Sequence, residues 1–153
     1  MYARDMMSKD VATIAAAATA FEAAERLVEA RVSALVVLDG DGAMVGIVSE
    51  ADLIRGAAAA AKAVGLDVLG RIEDDERSAA AVAAIKTRRV ADVMTRGVIA
   101  AHETATLREI SDLMLKHRIK RVPIVRDRHI LGVVGRADLL RALIAFGPKA
   151  YTG

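Results

Sequence analysis

The sequence lacks several residue types on which whole classes of protein depend. It contains no cysteine, which excludes disulfides, thiolate metal sites and cysteine nucleophiles. It also contains no tryptophan, and aromatic residues make up only 3% of the chain, which argues against a surface that stacks single-stranded nucleic acid. No apolar run approaches the ~18 residues that a membrane span needs. We therefore expect neither a membrane-spanning protein nor a stacking platform for nucleic acid.

A strong charge of either sign is also missing. The chain has 22 basic and 20 acidic residues, with a formal net charge of +2 at pH 7. This near balance gives no reason to expect a nucleic-acid partner, although it leaves room for a small anionic ligand. With 153 residues and 54% hydrophobic residues, the chain is long and apolar enough for one compact soluble domain or two tightly joined halves.

The first 20 residues have some features of a secretory signal. Arg4 and Lys9 precede an apolar, alanine-rich stretch. However, Asp5 and Asp10 interrupt the basic region, and the same segment has a counterpart deep inside the chain, at residues 92–105. We therefore interpret the sequence as that of a mature protein and expect a cytoplasmic location.

The sequence repeats itself. Residues 5–8, Asp-Met-Met-Ser, return at 92–95 as Asp-Val-Met-Thr, and the glycine-led octapeptide at 46–53 returns at 132–139. The offset is 87 residues in the first case and 86 in the second, so one residue is lost at a turn. A duplicated unit normally buries its open apolar face against its twin. The repeat therefore predicts two copies of one folding unit, related by a pseudo-twofold axis.

Each copy predicts the order strand, helix, strand, strand, helix. Thr19 with Glu22, and Thr106 with Glu109, have the spacing of a capping box, so a helix should begin at the same place in both copies. Apolar runs predict strands at 11–14, 35–38, 44–48, 122–125 and 130–134. The fold class predicted is α+β: two βαββα repeats, each a small sheet packed against two helices.

The two pairs of central strands should be joined by hairpin turns at 39–42 and 126–129. Asp39 and Asp41 could also belong to a calcium loop, but the other ligands of that pattern are missing, so a turn is favoured. The predicted division is 1–60 for copy 1, 61–89 for a linker, 90–146 for copy 2 and 147–153 for a C-terminal tail. The linker should be helical at both ends with a mobile acidic middle, read as a solvated connection rather than an interaction arm.

The candidate binding motif is Ser49-Glu50-Ala51-Asp52, which follows a buried strand and begins a helix. A hydroxyl, a carboxylate and helix-end N–H groups at this position suit a ribose and its phosphate. The same residues could simply cap the helix. In copy 2 the serine is replaced by Gly135, while Asp138 persists beside Arg136. An aspartate kept without its capping partner, next to a cation that can bind phosphate, favours a ligand site.

Four basic residues of copy 2 could have either a binding role or a structural role. Lys120, Arg121 and Arg136 could face a polyphosphate, while Arg118 could instead complement the end of a helix.

The three histidines show no metal-ligand spacing, and we expect no metal site. No Walker loop, catalytic triad or paired carboxylate motif occurs. We therefore expect a binding module rather than an enzyme.

The whole chain resembles a tandem pair of CBS domains, the module named after cystathionine β-synthase. The resemblance is carried by the openings at Asp5 and Asp92, the segment 118–125 and the run that begins at Gly46. It implies that adenosine-containing ligands such as AMP, ADP, ATP or S-adenosylmethionine bind in clefts between the repeats. The implied ligand-binding residues are Thr13, Ile14, Ala34, Leu35, Val36, Ser49 and Asp52 in the first cleft, and Ala100, Ala101, Arg121, Val122, Pro123, Arg136 and Asp138 in the second; Lys120 joins the second set as a possible phosphate contact.

Two departures from the family pattern rank the two clefts. Val36 stands where copy 1 would often carry proline, and Gly135 stands where copy 2 would often carry serine or threonine. The first cleft keeps both hydroxyl and carboxylate and is the preferred nucleotide site; the second is expected to be weak, empty or selective for a more anionic ligand. The resemblance further implies a regulatory energy or metabolite sensor that works as a homodimer and acts on another protein. A ligand-free dimerisation scaffold is the alternative.

Overall fold

The molecule is built as two compact units, each with its own sheet. The computed structural model describes residues 1–63, 83 and 86–151. Unit 1 combines Met1–Val11 with Ile99–Gly153, and unit 2 is Ala12–Val98. Each unit contains a three-stranded sheet and helices, so the predicted α+β class is confirmed.

The elements alternate along the chain much as the repeat predicts. They are α1 (Ala3–Met6), β1 (Thr13–Ala15), α2 (Ala20–Ala30), β2 (Ala34–Leu38), β3 (Met44–Ser49), α3 (Glu50–Ala63), α4 (Val90–Val93), β4 (Ala101–His102), α5 (Leu107–His117), β5 (Arg121–Arg126), β6 (His129–Gly135), α6 (Arg136–Phe146) and a 3₁₀ helix (Gly147–Tyr151). The sheets have the orders β1-β2-β3 and β4-β5-β6. In each, the first strand is parallel to the second and the second is antiparallel to the third.

Both predicted capping boxes form. The Thr19 hydroxyl accepts from the Glu22 N–H at 3.1 Å, and the Thr19 N–H donates to the Glu22 carboxylate at 2.7 Å. Thr106 and Glu109 repeat the arrangement at 3.3 and 2.7 Å. Because the Thr106 N–H stabilises the ionised carboxyl, it holds the pKa of Glu109 below its ordinary value. These boxes start α2 and α5 at equivalent positions.

Two local predictions differ from the structure. The first strand begins at Thr13 rather than Val11, because the Val11 N–H donates to the Lys9 carbonyl in a local turn. The one-turn helices α1 and α4 were not predicted, since four residues are too few for helical periodicity to show. The acidic middle of the predicted linker lies outside the described residues.

The hairpin turns form as predicted, with different chemistry in the two copies. Gly42 adopts a φ of 80°, and the Asp39 carboxylate accepts from the N–H groups of Asp41 and Ala43, both at 2.9 Å. These backbone bonds explain Asp39 as a turn residue. The shorter second turn uses Asp127 and Arg128 at φ 48° and 68°, left-handed values adopted without glycine.

Alternation along the strands gives each unit its core. In unit 2, Leu35, Val37 and Val48 are at most 1% exposed and pack with Ala23 and Leu27 of α2. The corresponding cluster in unit 1 is formed around Val122, Ile124, Val134, Leu107 and Ile110. Fully burying an aliphatic side chain of this kind is worth about 1.5–3 kcal/mol. Because side chains alternate, the intervening residues of β2 and β5 point to the opposite face of the sheet.

Each sheet is extended by the opening segment of the other sequence copy. In unit 2, the Ile47 N–H donates to the Thr95 carbonyl at 3.0 Å, and the Thr95 N–H donates back at 2.8 Å. In unit 1, Ser8 and Val133 exchange two such bonds, both of 2.9 Å. The repeated tetrapeptides at 5–8 and 92–95 therefore belong to the outer edge of the sheet in the unit that holds them.

Two glycines make this close approach possible. A Cβ placed on Gly46 would lie 2.8 Å from both the Met94 sulfur and the Thr95 carbonyl oxygen. A Cβ on Gly132 would lie 2.7 Å from the Met7 sulfur and from a backbone oxygen at residue 8. In each unit, a glycine from one copy of the sequence thus leaves the space that a methionine from the other copy fills.

Within the part of the chain that the structure describes, no helix combines the length and the apolar character needed to cross a membrane.

We predict that Gly46→Ala destabilises the protein by about 1–3 kcal/mol, the usual cost of overpacking a close contact. The reason is that the added methyl group must push the Thr95 backbone away from β3. Urea unfolding followed by circular dichroism measures the change. Gly40→Ala is the matched control, since nothing lies within 4 Å of a Cβ there. Equal unfolding free energies for the two variants would contradict the prediction.

Candidate functional site

The candidate site in unit 2 is centred on Asp52, in the first turn of α3. β3 ends at Ser49 and α3 begins at the next residue, so the strand delivers the carboxylate directly to a helix N-terminus. Asp52 is 6% exposed, and among the described residues it is the single buried side chain that is polar or charged. A buried carboxylate is costly unless hydrogen bonds compensate it.

Part of the compensation is a capping box. The Ser49 N–H donates to Asp52 Oδ2 at 2.9 Å, and the Asp52 N–H donates to the Ser49 hydroxyl at 3.2 Å. The capping interpretation of the Ser49-to-Asp52 motif is therefore correct as local geometry. Asp52 stabilises the start of α3 whatever else it does.

Two further donors reach the same carboxylate. The Thr95 hydroxyl lies 3.2 Å from Asp52 Oδ1 and 3.4 Å from Oδ2, and Arg55 Nη2 lies 2.5 Å from Oδ1. The capping glutamates of α2 and α5, Glu22 and Glu109, are exposed, and among the contacts the structure records the one further donor on each carboxylate is the hydroxyl of its own capping threonine. Burial and extra donors at Asp52 thus exceed what capping requires.

The predicted residues of unit 2 fall on two faces of its sheet. Thr13 is paired with Val36, and Ala34 with Ser49, so these four share the face opposite α2, at one end of the sheet. Leu35, in contrast, is 1% exposed and belongs to the core cluster, and Ile14 packs against that cluster. A contact from Leu35 to a ligand would have to come from its backbone.

Unit 1 repeats the turn with fewer groups. Asp138 accepts from the Gly135 N–H at 2.7 Å and pairs with Arg141. Asp138 lacks a serine partner, as the sequence indicates, but it still caps the helix through the Gly135 N–H, because the backbone half of the box needs no serine side chain. Its presence therefore does not by itself favour a ligand. Ser8 stands where unit 2 has Thr95, and within the described residues its hydroxyl has no hydrogen-bond partner.

The predicted basic residues lie near Asp138. Arg121 is paired with Gly135 across the hairpin, and the Arg136 N–H donates to the Lys120 carbonyl at 3.2 Å. All three cationic side chains are exposed, and none has a carboxylate partner in the described part of the chain. Arg118 instead ends α5 in a left-handed conformation, at φ 54°.

The remaining predicted residues of unit 1 divide as in unit 2. Ala101 and Val122 are buried in the core cluster, while Pro123 is buried on the opposite face of β5. Ala100 is half-buried and precedes β4. A cavity of about 830 Å³ lies between β4 and α5 and includes Ala101, but no other predicted site residue lines it.

Arg126 is paired with Glu103 and therefore does not join the exposed cations near Asp138. Its Nε and Nη2 donate to the two oxygens of Glu103 at 2.5 and 2.7 Å, which lowers the pKa of Glu103 and raises that of Arg126. Two of the three histidines are also engaged locally: His102 Nδ1 lies 2.8 Å from the Thr104 hydroxyl, and His129 Nδ1 lies 2.9 Å from a backbone carbonyl. Among the described residues, no group of three or more His, Cys, Asp or Glu could hold a metal ion.

The two copies of the sequence correspond to one known family of domains. The model of the CBS domain matches the chain twice, at residues 3–59 and 90–145. The chain belongs to the CBS domain family. Both matches contain a strand-to-helix turn of the kind described above, so the resemblance inferred from the motifs is confirmed.

Relatives of the CBS pair include small proteins and solved structures. An uncharacterized protein of Methanocaldococcus jannaschii is 36% identical over 126 residues, and the match covers 74% of this chain and 74% of that protein. The CBS domain of a membrane protein from Sphaerobacter thermophilus is 28% identical, with a TM-score of 0.71 over 92% of this chain and 86% of that one. The CBS domain pair of protein MJ0100, solved with 5′-methylthioadenosine and S-adenosyl-L-methionine, is 25% identical, with a TM-score of 0.66 over 95% and 97%.

Thr95 and Arg55 were not among the residues predicted for the site. Both lay within repeated motifs: Thr95 ends the tetrapeptide 92–95, and Arg55 recurs as Arg141. Their position in the duplication was visible, but not their contact with Asp52. Thr95 is 43 residues away in the sequence, and only the bridge to Ile47 brings it to the carboxylate.

We predict that Thr95→Val lowers the unfolding free energy by about 1 kcal/mol, because a buried carboxylate loses one hydrogen bond. Ser8→Ala is the matched control at the equivalent position of unit 1 and should have a smaller effect. Thermal and urea unfolding of both variants make the comparison. A larger loss for Ser8→Ala would mean that the Thr95 hydroxyl does not support Asp52.

Proposed function

We propose that this CBS pair is a regulatory module that binds an adenosine-containing ligand at the turn from Ser49 to Asp52. The observation that supports it most directly is the buried Asp52 carboxylate, which lies at a helix N-terminus and accepts from the Thr95 hydroxyl, while the Ser49 hydroxyl accepts from the Asp52 N–H. AMP, ADP, ATP and S-adenosylmethionine share the ribose and the base that such a site would recognise.

The chemistry of the turn matches the parts of this ligand. A carboxylate can accept hydrogen bonds from the vicinal 2′- and 3′-hydroxyls of ribose. The Ser49 hydroxyl and the N-terminus of α3, a helix of 14 residues, can donate to a phosphate oxygen. Thr13, Ala34 and Val36 share a sheet face with Ser49 and supply small or apolar groups for the base.

Similarity to solved CBS pairs supports the same class of ligand. The structure of the MJ0100 pair contains two adenosine derivatives, 5′-methylthioadenosine and S-adenosyl-L-methionine. Its likeness to this chain extends over 95% of the residues. Binding to a module of this kind regulates only if the ligand prefers one of two arrangements of the protein. We infer that the response is passed to a different protein.

Unit 1 favours a more anionic ligand. Lys120, Arg121 and Arg136 lie around the turn that holds Asp138, whereas the turn in unit 2 keeps the serine that unit 1 lacks. Exposed cations without carboxylate partners can bind the oxygens of a polyphosphate. We infer that the unit 2 site recognises the nucleoside, while the unit 1 site selects ligands by phosphate charge.

Thermal unfolding with AMP, ADP, ATP or S-adenosylmethionine at about 1 mM tests the proposal. A ligand at 100 times its dissociation constant adds about 2.7 kcal/mol, or several degrees in Tm. The rise should disappear in Asp52→Asn, which keeps the size of the side chain while removing its charge. Asp138→Asn is the matched variant in unit 1 and should retain the effect of AMP.

No rise with any of these ligands would favour the alternative, a ligand-free scaffold that dimerises. Such a role has its own structural support, because the two copies expose apolar side chains at equivalent positions. Val28 and Leu115 are both 78% exposed, and Ile54 and Leu140 are 69% and 59% exposed. Matching apolar positions in both copies suit a symmetric partner, and we infer a homodimer that uses α3 and α6.

We predict that sedimentation velocity at micromolar concentration shows a dimer. Leu140→Glu together with Ile54→Glu should shift it to monomer without unfolding the chain, because both side chains point outward. Val28→Glu with Leu115→Glu, on α2 and α5, tests whether those helices take part. A monomeric wild type would contradict the dimer, whatever the result with nucleotides.

A further inference from the structure

The guanidinium of Arg55 donates a hydrogen bond to the Asp52 carboxylate, the group on which the proposed ribose site depends. Arg55 Nη2 lies 2.5 Å from Asp52 Oδ1, one turn along the same helix. The Arg55 side chain is 70% exposed, while the Asp52 side chain is 6% exposed. The pair therefore joins a solvent-exposed cation to a buried anion.

The carboxylate has room for about four hydrogen bonds, since each oxygen has two lone pairs. Ser49 N–H takes one position on Oδ2, and Arg55 takes one on Oδ1. The Thr95 hydroxyl lies within reach of both oxygens, at 3.2 and 3.4 Å. A ribose brings two hydroxyl donors, so at least one of the present donors has to leave before both can bind.

Arg55 is the donor that can leave at least cost. Ser49 N–H is part of the backbone at the junction of β3 and α3, and the Thr95 hydroxyl is carried by a short side chain on a backbone that two hydrogen bonds join to Ile47. Arg55 is held by its long side chain alone, and its charge can return to water. Because the Arg55 side chain is 70% exposed, water can solvate the released guanidinium and offset much of the lost ion pair.

We propose that Arg55 is a competing cation which a ribose displaces from Asp52, so that this arginine sets the affinity and the diol selectivity of the site. The inference rests on the proposed function, since it assumes that Asp52 is the ribose acceptor. It assigns to Arg55 a role opposite to that of a phosphate-binding arginine. Binding of the ribose would lengthen the distance between Arg55 Nη2 and Asp52 Oδ1 rather than shorten it.

Calorimetric titration of the full chain with AMP tests the proposal. Arg55→Ala should bind AMP about two- to fivefold more tightly than the wild type, the equivalent of one exposed ion pair. The gain should vanish with 2′,3′-dideoxy-AMP, which has the same phosphate and base but no diol. Arg55→Gln keeps most of the aliphatic stem, removes the charge, and should show the same gain.

A second readout uses an uncharged ligand. Raising NaCl from about 0.05 M to about 0.5 M screens the exposed ion pair, so wild-type affinity for 5′-methylthioadenosine should rise. The affinity of Arg55→Ala should stay constant. Arg26→Ala is the control for loss of a positive charge, since Arg26 is an exposed arginine on α2 of the same unit.

The possible results separate the two proposals. Weaker AMP binding by Arg55→Ala would make Arg55 a phosphate ligand and overturn the competition. Unchanged binding, or an equal gain with the dideoxy compound, would also overturn it while leaving the adenosine site intact. If neither wild type nor variant binds AMP or 5′-methylthioadenosine, the proposed function fails and the role of Arg55 fails with it.

Discussion

The pair of backbone hydrogen bonds between Ile47 and Thr95 assembles the candidate site of unit 2 from distant parts of the sequence. It brings a segment from the opening of copy 2 to the edge of the sheet built by copy 1, and it places the Thr95 hydroxyl beside Asp52. Only a residue without a side chain can face that segment, because the Met94 sulfur and a backbone oxygen fill the space where a Cβ of Gly46 would lie. The bridge between Ser8 and Val133 imposes the same condition on Gly132. Two short repeated motifs, far apart in the sequence, are thus two sides of one contact.

Capping and ligand binding are not competing explanations of Asp52. A capping box uses one carboxylate oxygen and one hydroxyl, and Thr19 with Glu22 shows that the chain can make such a box on its surface. At Asp52 the box fixes the orientation of the carboxylate, while burial excludes water from it. Preorganisation of this kind lowers the entropic cost of binding, since the acceptor does not have to be ordered when the ligand arrives. The capping box therefore orients the carboxylate for the ligand that we propose it binds.

Much of the fold could be predicted from the sequence because its signals are local. Threonine three residues before glutamate located both helix starts, and alternating apolar runs located the hairpin strands. What could not be predicted depends on contacts between distant residues. The first strand starts late because Val11 bonds to Lys9, and Thr95 joins the site only through the sheet edge. The capping role of Asp138 was missed for another reason: its donor is a backbone N–H, which leaves no mark in the sequence.

Duplication gave the two turns one backbone plan, and later substitutions changed their chemistry. Unit 2 has a threonine hydroxyl on its carboxylate and a serine hydroxyl on the N–H of the same aspartate, which suits neutral donors and acceptors such as those of ribose. Unit 1 has Gly135 in place of the serine, and the Ser8 hydroxyl does not reach Asp138 among the contacts the structure records, while three cations surround the turn. Both turns keep an arginine on the aspartate, Arg55 in one and Arg141 in the other. Each arginine would compete with a ligand's diol for its aspartate. In unit 1 the adjacent cations would partly offset that competition by attracting phosphate, whereas in unit 2 the neighbouring side chains that can bind a phosphate oxygen are hydroxyls. A ligand's charge would then decide which turn it occupies, and its diol would decide how tightly it binds there.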